Sequence, residues 1–353
     1  MPALTGRLGL MATRPTIHDV ARAAGVSVTT ASHALNGKGR VDPATRARVA
    51  DAIRDLGYRP NRHARGLRSG KSASLGLSLP ISGDARCDEA LSLDFYMRLT
   101  SVAAATAFSH EHALMLLPPT VVDTGLAGFT LDGGIVVDPA PGDKRVSVLA
   151  ERGLPVVTIE RDQGRPEDPW YVTSDMGTCA RRMLDHLAGR GARRIALLVP
   201  DADWGWAAET LSAYEAWTAE HGAPRLVVPV AMQHGEQSAF TAVSRLLGEW
   251  APPDAIFVDA ARFVRGALRA AKAAGKRVPA DLLIAAGVDT VAARQGDPPV
   301  TALDLHPERQ AVAAVEMLLA RLNDRRVQAP KHVPATLRPR ASTGVPVAPG
   351  NEG

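Results

Sequence analysis

The chain has 353 residues, 46% of them apolar and 22% charged, the composition of a soluble globular protein with more than one domain. No apolar run approaches the roughly 20 residues needed to span a bilayer, so no membrane partner is expected. The net charge of +4 hides an asymmetry: residues 1–71 carry 13 Lys/Arg against 4 Asp/Glu, and residues 72–353 carry 28 against 33.

Residues 1–13 have no apolar core long enough for a secretory signal and read as a disordered extension, with Met11 as an alternative start. Three short helices are predicted behind them. Thr16 with Asp19 three residues on is a capping-box-like start, and Ile17, Val20 and Ala21 share one apolar face. Ala24-Gly25-Val26-Ser27 breaks that pattern. Ser27 can cap a second helix, with Ala31, Ala34 and Leu35 inward, Val28, Thr29 and Thr30 toward solvent, and Asn36-Gly37 as its end. A third begins after Asp42 with Pro43 at its first position and is expected to turn Ala47, Val49, Ile53 and Leu56 inward.

A second helix after a Gly-containing turn is the geometry that enters a DNA major groove with its first residues on base edges. Val28 can meet a thymine methyl, the Thr29 hydroxyl can bond several base edges, and His33 can donate to guanine or phosphate. The competing reading is that Ser27, Thr29 and Thr30 only cap the helix. The basic balance of residues 1–71 favours DNA, since the positive charge lies where a phosphate backbone would run. Tyr58-Arg59-Pro60-Asn61-Arg62-His63-Ala64-Arg65-Gly66-Leu67-Arg68 follows, a short helical segment with a Leu flanked by arginines, which is what a minor-groove wedge needs.

These residues resemble the headpiece and hinge of the lactose-repressor (LacI/GalR) family of bacterial transcription regulators. The resemblance rests on Thr16-Ile17-His18-Asp19-Val20-Ala21, Ala24-Gly25-Val26-Ser27, Thr30-Ala31-Ser32-His33, Leu35-Asn36, Thr45-Arg46, Leu56-Gly57-Tyr58-Arg59-Pro60-Asn61, Ala64-Arg65 and Leu67. It implies DNA contacts from Thr16, Ser27, Val28, Thr29, Thr30, His33, Asn36, Arg59, Asn61 and Arg62. It also puts Leu67 at the minor-groove wedge, with Arg68 beside it. The chain departs from the family at Ala31 and His63, where many members have a β-branched residue, and at Gly66. Glycine costs about 1 kcal/mol relative to alanine in a helix, so the hinge is expected to form only on DNA.

After residue 72 apolar runs alternate with amphipathic stretches. Strands are predicted at 74–79, 114–117, 134–137, 155–159, 195–199, 226–230, 255–258 and 282–286. Helices are predicted at 90–109, 146–152, 178–188, 207–221, 238–250 and 263–274. Near-continuous apolar strands between helices imply parallel sheets covered on both faces, and two such units in tandem leave a ligand crevice at their carboxyl strand ends. The fold class is thus α/β: a three-helix headpiece and hinge helix, then a two-lobed periplasmic-binding-protein-like core. The family resemblance continues through Leu75-Gly76-Leu77, Leu154-Pro155-Val156-Val157, Ser174-Asp175, Arg193-Arg194-Ile195-Ala196, Val278-Pro279 and Gly287-Val288-Asp289. It implies a headpiece over 14–59, a hinge over 60–71, a core over 72–345 and a disordered tail over 346–353. Lobe 1 is then about 72–172 plus 301–325 and lobe 2 about 173–300 plus 326–345, with Val333–Leu337 as the last strand.

The resemblance also implies a small-molecule effector in the cleft, near Phe95, Tyr96, Arg161, Asp175 and Asp289. The Asn-Asp pair and the arginine with which members usually grip an effector are replaced by Ala260-Ala261 and Thr210. Trp204 and Trp206 can stack on a ring or sugar face. Other readings stay open: Asp175 as a helix cap, Asp289 serving its own loop, Arg161 as an interlobe ion pair, the tryptophans as packing.

No Gly-x-Ser-x-Gly elbow, GxxxxGK[ST] loop or HExxH motif is present, so no enzyme and no cofactor are expected. Cys87 and Cys179 lie far apart, and His110, His112, His186, His221 and His234 lack metal spacing, so neither a disulfide framework nor a metal site is expected. The expected protein is a cytoplasmic homodimer that binds double-stranded operator DNA as a repressor, modulated by an unidentified small molecule. The alternatives are a regulator whose core only dimerises and, more remotely, a solute-binding protein.

Overall fold

The computed structural model describes residues 15–37, 39–58, 72–80, 94–118, 122, 126, 128–323 and 330–344. They form two compact units, divided between Ser72 and Ala73. The extension at 1–13, the hinge at 60–71, the tail at 346–353 and Cys87 lie outside the described residues.

The first unit consists of α1 (Ile17–Ala24), α2 (Val28–Asn36) and α3 (Pro43–Asp55). Its core is Val20, Ala24, Val49 and Ala52, with Ile17, Val26, Ala34, Ile53 and Tyr58 packed around them. Local chemistry sets each helix end. Asp19 accepts from both the N–H (2.9 Å) and the hydroxyl (2.7 Å) of Thr16, Ser27 Oγ accepts from the Thr30 N–H at 3.0 Å, and Asp42 Oδ1 from the Thr45 N–H at 2.9 Å. Gly25 and Gly37 close α1 and α2 in the left-handed region, where a Cβ would be strained. Two inward assignments on α3 need correction. Ala47 is exposed, because residues two apart on a helix point away from each other and Val49 faces the core. Leu56 is exposed as well, sitting just past the end of α3 as its C-cap, while Ala52 takes the inward place.

The second unit carries two six-stranded sheets. The first is ordered β11-β5-β4-β3-β1-β2, from β1 (Ser74–Ser78), β2 (Ala113–Leu116), β3 (Gly133–Val137), β4 (Val156–Ile159), β5 (Tyr171–Thr173) and β11 (Lys331–His332), and is parallel throughout. The second is ordered β12-β10-β9-β8-β6-β7, from β6 (Ile195–Pro200), β7 (Leu226–Val230), β8 (Ala255–Val258), β9 (Leu283–Ala286), β10 (Thr301–Asp304) and β12 (Thr336–Arg338), with only β12 antiparallel. The helices are α4 (Asp94–Ser109), α5 (Lys144–Glu151), α6 (Met176–Gly189), α7 (Gly205–His221), α8 (Gly235–Leu247), α9 (Val264–Ala273), α10 (Val291–Arg294) and α11 (Pro307–Leu322). The apolar runs of the central strands β3, β4, β6 and β8 are buried between these helices, as the α/β reading requires.

The lobe boundaries expected from the sequence need two corrections. Residues 301–304 belong to the second lobe, because β10 pairs with β9 and β12; residues 331–332 belong to the first, because β11 pairs with β5. Strands of two to four residues carry no signal of which sheet edge they join. The chain therefore crosses between lobes at 174–175, 305–306 and 333–335. Gln310 Nε2 ties the first two crossings, donating to Ser174 Oγ at 2.6 Å and to the Leu305 carbonyl at 3.1 Å. His306 Nε2 lies 2.8 Å from Thr336 Oγ1, joining the second to the third.

Candidate DNA surface and interlobe site

On the headpiece, Ser27 and Thr29 are exposed at the start of α2, Val28 and Thr30 are half-buried, and His33 is exposed one turn on. The Ser27 and Thr30 side chains are 2.9 Å apart, so part of their hydrogen-bonding capacity serves the cap. The Thr29 hydroxyl, exposed, stands at a helix N-terminus whose dipole favours anions. The His33 ring lies against Gly39, where an added methyl would come 2.8 Å from Nδ1. Thr16 is exposed, with its hydroxyl given to Asp19. Asn36 closes α2; Arg59, Asn61, Arg62, Leu67 and Arg68 lie outside the described residues.

In the core, the carboxyl edges of the two sheets face each other and touch at both sides. Gln163 of the first lobe donates to the Gly205 carbonyl at 2.9 Å, and a methyl on Gly205 would come 2.7 Å from the Arg161 carbonyl oxygen. On the other side Asp94 accepts from the Val291 N–H at 2.9 Å and from Arg294 at 2.6 Å. Between them, the Tyr96 hydroxyl donates to Asp138 at 2.7 Å, and Phe95 packs edge-on to the Tyr96 ring. Burial pushes the Asp138 carboxyl up to about 6, against the Tyr96 hydrogen bond that lowers it. Trp204 and Trp206 stack on each other with centroids 5.3 Å apart.

The remaining expected cleft residues have structural partners. Asp175 caps α6, accepting from the Thr178 N–H and hydroxyl at 3.1 and 2.8 Å. Asp289 accepts from Arg340 at 2.8 Å and lies 3.6 Å from Arg294. Arg161 donates to the Pro166 carbonyl at 3.2 Å within its own lobe, its charge also acts on Glu209 of the second lobe, and its Nε is buried with no hydrogen-bond partner among the described residues.

Comparison with known proteins decides the family. Residues 16–61 match the family described as "Bacterial regulatory proteins, lacI family", and residues 184–343 match a "Periplasmic binding protein-like domain". The HTH-type transcriptional regulator AglR of Rhizobium meliloti is 30% identical over 288 residues, 78% of each chain. The chain belongs to the LacI family. It is therefore a DNA-binding transcriptional regulator, and its relatives are regulators rather than enzymes. Among solved structures, a CelR–cellobiose complex is 27% identical with a TM-score of 0.69, covering 93% of this chain and all of that one. A lac repressor dimer bound to operator and the anti-inducer ONPF shares the fold at 23% identity, with a TM-score of 0.77 over 93% and 99% of the two chains.

Against this family background, several residues of the cleft went unnoticed in the sequence. Arg145 is buried and holds the carboxyl edge of the first sheet together. It pairs with Asp143 at 2.8 Å and donates to the carbonyls of Leu79, Val137 and Asp138 at 2.7, 3.1 and 3.1 Å. Glu160 accepts from the Thr173 hydroxyl at 2.7 Å and the Ser174 N–H at 3.0 Å, bracing the first crossing, while burial pushes its carboxyl up to about 8. Asp259, just before the Ala260-Ala261 pair, is buried at the end of β8 with both carboxylate oxygens lacking hydrogen-bond partners among the described residues. An Asp directly after an apolar strand was the available signal. Its isolation is a tertiary property that no local pattern carries.

Proposed function

We propose that this LacI-family regulator is a cytoplasmic homodimeric repressor whose two headpieces read a pseudo-palindromic double-stranded operator, and that a small molecule between the lobes controls it. The observation that carries the reading is α2: a capped helix after a glycine turn, presenting exposed Thr29 and His33 from the basic end of the chain. One headpiece reads a half-site, so a two-fold pair calls for DNA with matching dyad symmetry. The CelR structure holds cellobiose, which supports a cleft ligand here without naming it. Control follows if a ligand favours one lobe arrangement and DNA favours headpieces at the spacing of the other.

Selection from a random duplex library, followed by footprinting, tests the reading. The expected product is a site with dyad symmetry protected by two chains. A preferred site without a dyad, or tight binding by one chain, overturns it.

A further inference from the structure

Asp259 is 1% exposed and follows β8 at the carboxyl edge of the second sheet, the edge that faces the first lobe. The segments around it all reach the first lobe. Gly205, at the start of α7, abuts Arg161; Arg262, three residues after Asp259, brings its charge up to Tyr96; and Val291, beyond β9, donates to Asp94. The Thr210 hydroxyl stands beside the carboxylate, but its proton is directed to the Trp206 carbonyl at 3.0 Å. On another side is Gly287, where a methyl would come 3.2 Å from Oδ1. A carboxylate enclosed in this way has lost its hydration with no donor in exchange, an arrangement that is stable only when the acid is protonated or a ligand supplies the donors.

Several neighbouring donors are already used, while Arg161 Nε and the Thr290 hydroxyl, buried further along the cleft, have no hydrogen-bond partner among the described residues. The Tyr96 hydroxyl goes to Asp138, the Gln163 amide to Gly205, the Thr173 hydroxyl to Glu160, and Arg145 to Asp143 and backbone carbonyls. The acids include buried Asp138, Glu160 and Asp259, with half-buried Glu209 beside Arg161. At Asp259 itself, what is left open is acceptor capacity, since both carboxylate oxygens lack a partner among the described residues. A neutral polyol brings an acceptor with every donor, whereas an ammonium or guanidinium brings donors only. The half-buried Trp204–Trp206 stack adds a π surface of the kind that attracts cations.

We propose that the interlobe cleft takes a small organic cation, carrying a primary ammonium or guanidinium group, and that Asp259 is the carboxylate that receives it. This rests on the reading of the cleft as an effector site. Because burial holds the free Asp259 carboxyl well above its usual range, a bound cation draws it back to the charged form and a proton leaves. Affinity for the cation therefore rises with pH until the free Asp259 carboxyl is itself ionised.

Calorimetric titration of the full chain at pH 7 tests this with agmatine, 1,4-diaminobutane and D-glucosamine, against the neutral 1,4-butanediol and D-glucose. At least one amine should bind, with its neutral counterpart at least about tenfold weaker. Asp259→Asn, and independently Asp259→Ser, should weaken that amine by about ten- to a hundredfold while operator binding persists. No binding by any of the three amines, equal binding by neutral and charged members, or unchanged amine affinity in both variants overturns the proposal. An amine that binds through Asp259 without altering operator affinity upholds the cation site and removes effector control. A neutral sugar that releases operator while the amines stay inert does the reverse.

Discussion

Replacing Glu160 by Gln should make folding less sensitive to pH in a defined window. Burial, reinforced by the negative charge of Asp138, lifts the Glu160 carboxyl from its ordinary 4.5 to about 8, although Thr173 and Ser174 hydrogen-bond to it. Between those two values the folded chain keeps a proton that the unfolded chain has released. Folding stability therefore falls as pH rises, by about 1.4 kcal/mol per pH unit for this one group, and the effect is absent below pH 4.5. Glutamine stays neutral throughout; its carbonyl can accept from the Ser174 N–H and its amide can donate to the Thr173 hydroxyl oxygen. Urea unfolding of parent and Glu160→Gln at pH 5, 6, 7 and 8 should show the variant gaining on the parent by about 3.5 kcal/mol across the series, the slope flattening toward both ends. A stability difference that stays flat with pH would show that Glu160 is ionised in the folded protein and that its burial costs less than reasoned here.

Gly205→Ala should hold the lobes apart, because its methyl meets the Arg161 carbonyl at 2.7 Å; small-angle scattering should give a larger radius of gyration, and an unchanged profile would count against closure at that edge. Arg145→Met strands Asp143 and the carbonyls it serves, and should cost about 3–5 kcal/mol in urea unfolding; a loss under about 1 kcal/mol would mean the network is dispensable. Thr29→Ala should change base preference in a binding selection, while Arg59→Ala weakens all sequences alike and lowers the salt slope by about one unit. Equal, sequence-blind losses in both would remove α2 from the major groove. Leu67→Ala should weaken operator binding and bending and leave non-specific binding nearly intact; retained bending in a gel assay would refute its role as a wedge.

The headpiece was legible because its signals are local. Thr16 with Asp19, Ser27, Gly25, Gly37 and Pro43 each mark a helix end through contacts within a few residues. The long strands of the core were legible for a similar reason, since β3, β6 and β8 are continuous apolar runs. The hinge was not. Strands β5 and β11 have three and two residues, too few for a period to show. Helix α11 was missed because it is buried around much of its circumference, with Gln310, Ala311, Ala313, Ala314, Val315, Met317 and Leu318 all inside, so no polar stripe alternates with an apolar one. In the cleft, residue type misled. Asp175 is the helix cap that its position allowed, Asp289 has its partner Arg340 51 residues away where no local pattern reaches, and Asp259 stands out only for having no partner among the described residues.

The last described stretch of chain finishes the second lobe from outside its own sequence block. Strand β12 pairs antiparallel with β10, the Ser342 hydroxyl accepts from the Thr301 N–H at 2.9 Å and donates to the Ile284 carbonyl, and Thr343 Oγ1 lies 2.7 Å from Thr301 Oγ1. Residues 175–304 are thus an incomplete folding unit. Ribosomal synthesis must pass residue 343 before that sheet can close, and a premature stop codon anywhere before this point leaves an unsealed edge rather than a slightly shorter regulator. Losses in the codons for residues 336–343 therefore weigh as heavily as losses within residues 175–304.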